Sequence, residues 1–259
     1  MTQQQNAIEA IGIQKRFGAV VAAADINLVV PVGQRVSLIG SNGAGKTTFV
    51  NMLTGYIRPD AGRIQVHGDG IVGLPPRTIA RMGIARSFQV PQLFKDLSVI
   101  DNMLVAVASQ SGNLSFLRPG RNAEALARAH ELLQRFELDP HAERRVGELP
   151  GGVRKLLDIA MALTRHPKVL LLDEPTSGVS ADEKFPLMQT VMRALSQESA
   201  TVLFVEHDME IVSEYSDRVV AFYSGRIIAD DVPAKVLANA DVQRHVTGNA
   251  QKGAVHAQA

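Results

Sequence analysis

Gly40-Ser41-Asn42-Gly43-Ala44-Gly45-Lys46-Thr47-Thr48 is the part of the sequence that constrains the structure most. It follows the apolar run 36–39 and fits the phosphate-binding pattern G-x-x-x-x-G-K-[ST]. A polyphosphate is wrapped by backbone N–H groups, and glycine allows the close approach and positive φ angles that this requires. The stretch therefore predicts a strand, a phosphate loop over 40–48, and a helix whose N-terminus adds positive charge.

Two side chains of this loop carry predicted ligand contacts. We expect Lys46 to reach the β- and γ-phosphates of a nucleotide and the Thr47 hydroxyl to ligate Mg²⁺. A glycine-rich turn before a helix is the simpler explanation of the stretch taken alone, since four fixed positions can match by chance.

A second apolar run, 169–172, ends in the carboxylates Asp173 and Glu174. A continuous apolar run is typical of a parallel strand buried on both faces, and ligands of open α/β sheets lie at the carboxyl ends of such strands. We therefore expect Asp173 to hold Mg²⁺, directly or through water, and Glu174 to polarise the attacking water. Two carboxylates at a strand end can also simply reach solvent, but together with Lys46 they predict a nucleotide hydrolase.

Composition restricts the class of protein. The chain has 259 residues and is 46% hydrophobic, enough for one large α/β domain or a core with an inserted subdomain. Its 27 basic and 26 acidic residues leave a charge of +1, so we expect no nucleic-acid partner. The sequence lacks cysteine, a secretion signal pattern and an apolar run of roughly 20 residues, so we expect any membrane role to be exercised from the membrane surface.

Local patterns predict alternating sheet and helix segments. Strands are predicted at 7–16, 26–30, 35–39, 63–67, 84–88, 168–172, 201–205 and 218–223. Helices are predicted at 46–54, 75–82, 97–108, 123–136, 156–164, 233–239 and 242–246. A loop is predicted over 109–121, a hairpin turn at Tyr223-Ser224-Gly225-Arg226, and a frayed tail over 248–259.

The order of the motifs resembles the nucleotide-binding subunits of ABC transporters over roughly residues 8–247. The motifs that carry this resemblance are the loop 40–48, Gln89, Leu149-Pro150-Gly151-Gly152, Asp173-Glu174 and His207. The resemblance implies one α/β ATPase domain over 1–247, with a P-loop NTPase core of mixed sheet and flanking helices. It also implies an antiparallel β subdomain and a helical subdomain, about 90–165, inserted in the RecA-like core.

Further site residues follow from the resemblance alone, with ATP and Mg²⁺ as the implied cofactors. Phe17 matches the aromatic residue that stacks on adenine, although a core residue at a strand end would look the same. Gln89 matches the glutamine that contacts Mg²⁺ or its water. His207 matches the histidine that contacts the γ-phosphate, and a structural histidine is the alternative. Glu174, Gln89 and His207 form the implied catalytic set.

The chain departs from the family pattern at two places. In 149–155, Pro150 and Val153 replace the serine and glutamine of the usual Leu-Ser-Gly-Gly-Gln. Proline offers neither the hydroxyl nor an N–H, whereas Gly151 and Gly152 at a helix start can still offer N–H groups to a nucleotide. The second departure is Ser180, where the family usually has Asp or Asn.

Ser180 also has a local explanation, a capping box with Glu183. In the family's head-to-tail dimer, one subunit supplies the loop and carboxylates of a site and the other supplies the signature stretch. The first set is intact here and the second is altered. We therefore expect transmembrane permease subunits and a different second ATPase subunit as partners, with a homodimer left open, on the cytoplasmic face of the inner membrane.

Residues 92–106 and 206–209 resemble the branched-chain amino acid importer ATPases in particular. Uptake of branched-chain amino acids is therefore the predicted function. The alternatives are the ATPase of a urea or amide importer, that of a lipopolysaccharide exporter, and a non-catalytic ATP-binding partner subunit. A DNA- or ribosome-acting ATPase of the same superfamily is a further rival.

Overall fold

A computed structural model of the chain describes residues 5–109 and 123–248. The strands in these residues are β1 (Asn6–Phe17), β2 (Val20–Pro31), β3 (Arg35–Gly40), β4 (Ala61–Val66), β5 (Asp69–Gly70), β6 (Ile84–Ser87), β7 (Val169–Asp173), β8 (Thr201–Val205), β9 (Arg218–Tyr223) and β10 (Arg226–Asp231). The predicted loop 109–121 and tail 248–259 lie, except for Ser109 and Gly248, outside the described residues.

The α-helices in the same residues are α1 (Lys46–Leu53), α2 (Pro76–Arg81), α3 (Val99–Ala108), α4 (Ala123–Arg135), α5 (Gly151–Leu163), α6 (Ala181–Leu195), α7 (Met209–Tyr215), α8 (Pro233–Ala238) and α9 (Ala240–Val242). Short 3₁₀ turns cover Asp139–His141 and Val146–Glu148, and a π-helical turn covers Gln243–Thr247. No helix in the described part of the chain is both long enough and apolar enough to cross a membrane.

The described residues form two compact units. The first runs up to Met82 and resumes at Thr201, and the second runs from Gly83 to Ala200. The first unit contains an antiparallel sheet with the strand order β2-β1-β4-β5. Along β2, Ile26, Leu28 and Val30 are buried at every second position, which is the side-chain period of a strand with one buried face.

The first unit also contains β10-β9-β3-β8 as neighbouring strands, in that order. Strand β3 is parallel to both β8 and β9, and its Val36, Leu38 and Ile39 are fully buried. Strands β9 and β10 form an antiparallel hairpin. Ser224 (φ 46°) and Gly225 (φ 75°) take the two positive-φ positions of its turn, as two-residue hairpins require, so the predicted hairpin turn is confirmed.

In the second unit, β6 and β7 are parallel neighbours, and α3, α4 and α5 pack on one another. Leu132 and Leu133 of α4 and Leu157 of α5 are fully buried, as their spacing predicts. Helix α5 begins at Gly151, five residues before the predicted start. The prediction missed its first turn because that turn contains two glycines, which are poor helix formers and carry no apolar pattern.

Candidate functional site

The phosphate loop leaves β3 at Gly40 and enters α1 at Lys46, as predicted. Gly40 has φ 154°, and a Cβ there would lie 2.4 Å from the Phe222 carbonyl oxygen. Gly45 has φ 109°, and its Cβ would lie 2.4 Å from the Ala22 carbonyl oxygen. Both positions therefore require glycine, because the backbone conformation and the close approach each exclude a side chain.

Hydrogen bonds fix the shape of the loop. The Ala44 N–H donates to the Ser41 carbonyl at 3.1 Å, and the Gly225 N–H donates to the Ala44 carbonyl at 2.9 Å. The Lys46 ammonium is buried and donates to the carbonyls of Gly40 (2.6 Å) and Ser41 (3.3 Å). The positive charge of Lys46 is thus held inside the curve of the loop.

The start of α1 suits an anionic ligand. Gly45 is the N-cap, and within the described residues no side chain caps this end and no acidic residue lies in its first turn. The first N–H groups of a helix have no intrahelical partner and carry partial positive charge. Asn42, Gly43 and Thr47 are exposed, while Thr48 is half-buried. This donor set fits a nucleotide polyphosphate, and the exposed Thr47 hydroxyl fits the predicted Mg²⁺ ligand.

The first unit also positions His207 and Phe17. Strand β8 runs parallel to β3, with Val205 opposite Leu38, so His207 lies at the same end of the sheet as the phosphate loop. Its side chain is exposed, and its backbone N–H donates to the Glu206 carboxylate at 3.0 Å. Phe17 is 48% exposed, so the alternative that it is a core residue is wrong.

The second unit brings two predicted site residues together. Strands β6 and β7 pair in parallel as far as Ser87 opposite Leu172, so the residues after both strands emerge at one edge. There the Gln89 side-chain amide donates to the Glu174 carboxylate at 2.7 Å. Glu174 has φ 47°, which is uncommon for a residue with a side chain. Such backbone conformations are costly and occur most often at functional sites.

Asp173 is buried and forms an ion pair with Arg86, whose Nη2 lies 2.5 Å from Asp173 Oδ2. A buried carboxylate needs such a partner, because desolvation of an unpaired charge is costly. We did not predict Arg86, although an arginine inside the short strand Ile84–Ser87 is a visible signal. Lys155 and Asp158, two charged residues on the largely apolar face of α5, were missed in the same way.

The donor set also matches the chemistry of Mg²⁺. The described residues contain no cluster of three or more His, Cys, Asp or Glu side chains able to hold a metal ion by themselves. Mg²⁺ is usually held by one or two carboxylates together with substrate phosphates and waters rather than by an all-protein cage. Within the second unit, the Asp173 carboxylate and the Gln89 side-chain amide are oxygen donors of the type that such sites use.

The signature stretch lies at the N-terminus of α5. Pro150 is the N-cap, with φ −56° and ψ 156°, and it offers no side-chain hydrogen bond to the helix. Gly151 is exposed, and a Cβ at this residue would lie 3.3 Å from the Gly178 carbonyl oxygen. The stretch and the loop before Ser180, which both depart from the family pattern, are therefore neighbours.

The capping box predicted at Ser180 is wrong in its detail. Ser180 is the N-cap of α6, but its hydroxyl accepts no backbone hydrogen bond. Instead it donates to the Glu183 carboxylate at 2.8 Å. A hydrogen bond from a hydroxyl to a carboxylate is charge-assisted, and it replaces the reciprocal side-chain-to-backbone pair.

A glycine-rich loop between a strand and the N-terminus of a helix is typical of proteins that bind nucleotide phosphates, and it places the chain in the class of P-loop ATPases. Residues 23–177 match the ABC transporter family, and the chain belongs to this family. It is thus an ATP-binding subunit whose ATPase activity energises membrane transport. Such cassettes dimerise and work with transmembrane permeases, which makes the chain a peripheral, membrane-associated subunit.

The chain is 37% identical over 252 residues to the high-affinity branched-chain amino acid transport ATP-binding protein BraF of Pseudomonas aeruginosa, covering 94% of this chain and 98% of BraF. It is 39% identical over 248 residues to the corresponding protein LivG of Escherichia coli K12, covering 92% and 96% of the two chains. The crystal structure of the ADP conformation of an ATP-binding cassette from an ABC transporter matches with a TM-score of 0.81 and 29% identity, covering 92% of this chain and 97% of that one. The predicted fold class is therefore confirmed.

Proposed function

We propose that this subunit hydrolyses ATP with Mg²⁺ to drive the uptake of branched-chain amino acids. The cargo rests on the relatives BraF and LivG, which are branched-chain amino acid transport proteins by name and match almost the whole chain. The observation that carries hydrolysis is the hydrogen bond between Gln89 and Glu174, because it assembles the amide and the carboxylate that the reaction needs.

Each predicted site residue receives a role in this proposal. The nucleotide-binding residues are Phe17, Gly40, Ser41, Asn42, Gly43, Ala44, Gly45, Lys46, Thr47 and Thr48, with Gly151 and Gly152 facing the nucleotide of the second subunit. Thr47, Gln89 and Asp173 would hold Mg²⁺, which neutralises charge on the β- and γ-phosphates when bound. His207 would stabilise the charge that develops on the γ-phosphate.

Glu174 would orient the attacking water and accept its proton. A carboxylate offers about four lone-pair sites, so the hydrogen bond from Gln89 leaves it the capacity to bind water as well. That bond also holds the carboxylate in one orientation. The Lys46 ammonium, already held by two loop carbonyls, supplies a fixed positive charge whose placement costs little reorganisation.

The second ATPase subunit is, in this proposal, a different chain. At the start of α5 the proline provides neither a hydroxyl nor an N–H, so only backbone N–H groups of Gly151 and the following residues face a second nucleotide. The Ser180 hydroxyl is bound to Glu183. This chain would supply the phosphate loop and the carboxylates of one nucleotide site, and a partner with an unaltered signature would complete that site.

The complex would sit on the cytoplasmic face of the inner membrane. Permease docking is assigned to the surface near 90–106, where Val90 is 70%, Phe94 54% and Val105 40% exposed. Surfaces for protein contact expose more apolar side chains than other surfaces do, and these three exposures favour the assignment.

ATP hydrolysis by the purified chain, measured over a range of protein concentration with Glu174→Gln as the blank, tests the proposal. We expect ATP binding with little turnover, and a rise in turnover when Pro150 is changed to Ser together with Val153→Gln, because these changes restore the signature for a self-dimer. Rapid turnover by the unaltered chain that climbs steeply with concentration would refute the heterodimer. Uptake of labelled urea rather than leucine by vesicles carrying the assembled transporter would refute the cargo.

A further inference from the structure

Helix α5 carries two buried charged residues that the mechanism above does not use. Lys155 is 2% exposed and Asp158 is 7% exposed. Residues three apart lie on one face of a helix, so both side chains point the same way. Burial of a charged group is unfavourable unless the group is well bonded, so the partners of these two residues indicate what they do.

Lys155 joins the ends of two strands. Its ammonium donates to the carbonyls of Phe88 (2.8 Å) and Gln89 (3.3 Å), just after β6, and to that of Asp173 (3.1 Å), the last residue of β7. Pairing between these strands is recorded as far as Ser87 opposite Leu172. A lysine ammonium has three N–H donors, and here they bridge the two strand ends just past the last paired residues.

Asp158 binds the same segment from its N–H side. Its carboxylate accepts hydrogen bonds from the Ser87 hydroxyl (2.6 Å), the Phe88 N–H (3.1 Å) and the Gln92 N–H (3.3 Å). Burial raises the pKa of Asp158, while these hydrogen bonds and the nearby charge of Lys155 act against that rise. The backbone around Gln89 is thus held on both sides by one helix.

The same helix begins at the signature glycine Gly151. We propose that Lys155 and Asp158 are positioning residues that link the signature end of α5 to Gln89 and Asp173. Movement of the signature when it engages the second subunit's nucleotide is then transmitted to the Mg²⁺ ligands of this chain's own site. This inference rests on the function proposed above, in which Gln89 and Asp173 hold Mg²⁺.

The test measures binding of a fluorescent, non-hydrolysable ATP analogue to the purified chain at increasing Mg²⁺ concentration. Lys155→Met keeps the length of the side chain and removes the ammonium. We expect the half-saturating Mg²⁺ concentration to rise about tenfold or more, the size of effect usual for outer-shell partners of metal ligands. Binding of the analogue in EDTA should stay within about twofold, because the phosphate loop is unchanged.

Two further variants separate positioning from a general structural effect. Lys155→Arg retains the donors and should recover most of the Mg²⁺ dependence, whereas Lys168→Met removes an exposed lysine from the same unit and should match the unaltered chain. If Lys155→Met does not fold, as judged by circular dichroism, Asp158→Asn takes its place and should shift the Mg²⁺ dependence in the same direction.

Hydrogen exchange tests the link itself. In the unaltered chain, the Mg²⁺-bound analogue should slow exchange in both 87–92 and the first two turns of α5, and in Lys155→Met the slowing should be confined to one of them. A folded Lys155→Met or Asp158→Asn variant with unchanged Mg²⁺ dependence and unchanged exchange would overturn the inference. Failure of the unaltered chain to bind the Mg²⁺-analogue would instead overturn the proposed function.

Discussion

Replacement of Arg86 by Met should destabilise the protein strongly, because it leaves the buried Asp173 carboxylate without its ion-pair partner. The side chains of the pair are only 8% and 7% exposed, and their charged atoms are 2.5 Å apart. Removal of one partner from a buried ion pair costs about 3–5 kcal/mol, since the remaining charge is left without compensation. Arg86 also lies over the Phe88 ring, 4.9 Å from its centroid, and loss of this cation–π contact adds about 1 kcal/mol.

Urea denaturation followed by circular dichroism measures this effect. The matched control is Arg193→Met, which breaks the ion pair between Arg193 and Glu137. The side chains of this pair are 57% (Arg193) and 61% (Glu137) exposed. Exposed pairs contribute about 0–1 kcal/mol, so the control should be nearly neutral. The double variant Arg86→Met with Asp173→Asn should recover much of the loss, because neither charge then remains. If Arg86→Met costs no more than the control, the argument from buried charge is refuted.

Two other predictions concern the first unit. Gly45→Ala should lower the free energy of unfolding by about 3 kcal/mol or more and abolish ATP binding, because the new Cβ would meet the Ala22 carbonyl at a positive φ. The control Gly33→Ala, at φ 80° with open space around it, should lower the free energy of unfolding by about 1 kcal/mol. Equal losses of stability in denaturation would contradict this reasoning. Burial alone would raise the pKa of Asp217, but the hydrogen bonds and charge of Arg35 outweigh it and hold that pKa below its ordinary value. The stability due to this pair is therefore present above about pH 4 and lost as the pH falls through the lower folded pKa. In Asp217→Asn, the free energy of unfolding should fall less steeply as the pH is lowered below about 4. The same steepness in this variant and in the unaltered chain would contradict the role of the pair.

The elements with strong local patterns were predicted from the sequence with small errors. The strand 201–205 agrees with β8, and the helix 123–136 agrees with α4 to one residue, because full burial and three-to-four spacing leave a clear trace. Strand β2 was predicted only over 26–30, since its first half, from Val20, is a run of small residues without alternation. The short strand Asp69–Gly70 left no signal at all.

The candidate site shows the same division. The glycines of the phosphate loop and the carboxylates at the end of β7 are evident in the sequence, because phosphate and Mg²⁺ chemistry demands particular residue types at fixed spacings. The roles of Gln89 and His207 came from resemblance, and they stay predictions. The capping box predicted at Ser180 was wrong in its detail, because the Ser180 hydroxyl donates to the Glu183 carboxylate and accepts no hydrogen bond from a backbone N–H.

The order of residues along the chain therefore defined the family, the phosphate loop and most of the strands and helices, all of which depend on short-range spacing. The partners of the buried charges depended on the folded chain. Arg86 meets Asp173, and Lys155 meets both Gln89 and Asp173, only because parallel pairing of β6 and β7 brings strand ends that are far apart in sequence to one edge. Periodicity records which face of an element is buried, but the identity of the group on the opposite side is fixed by packing.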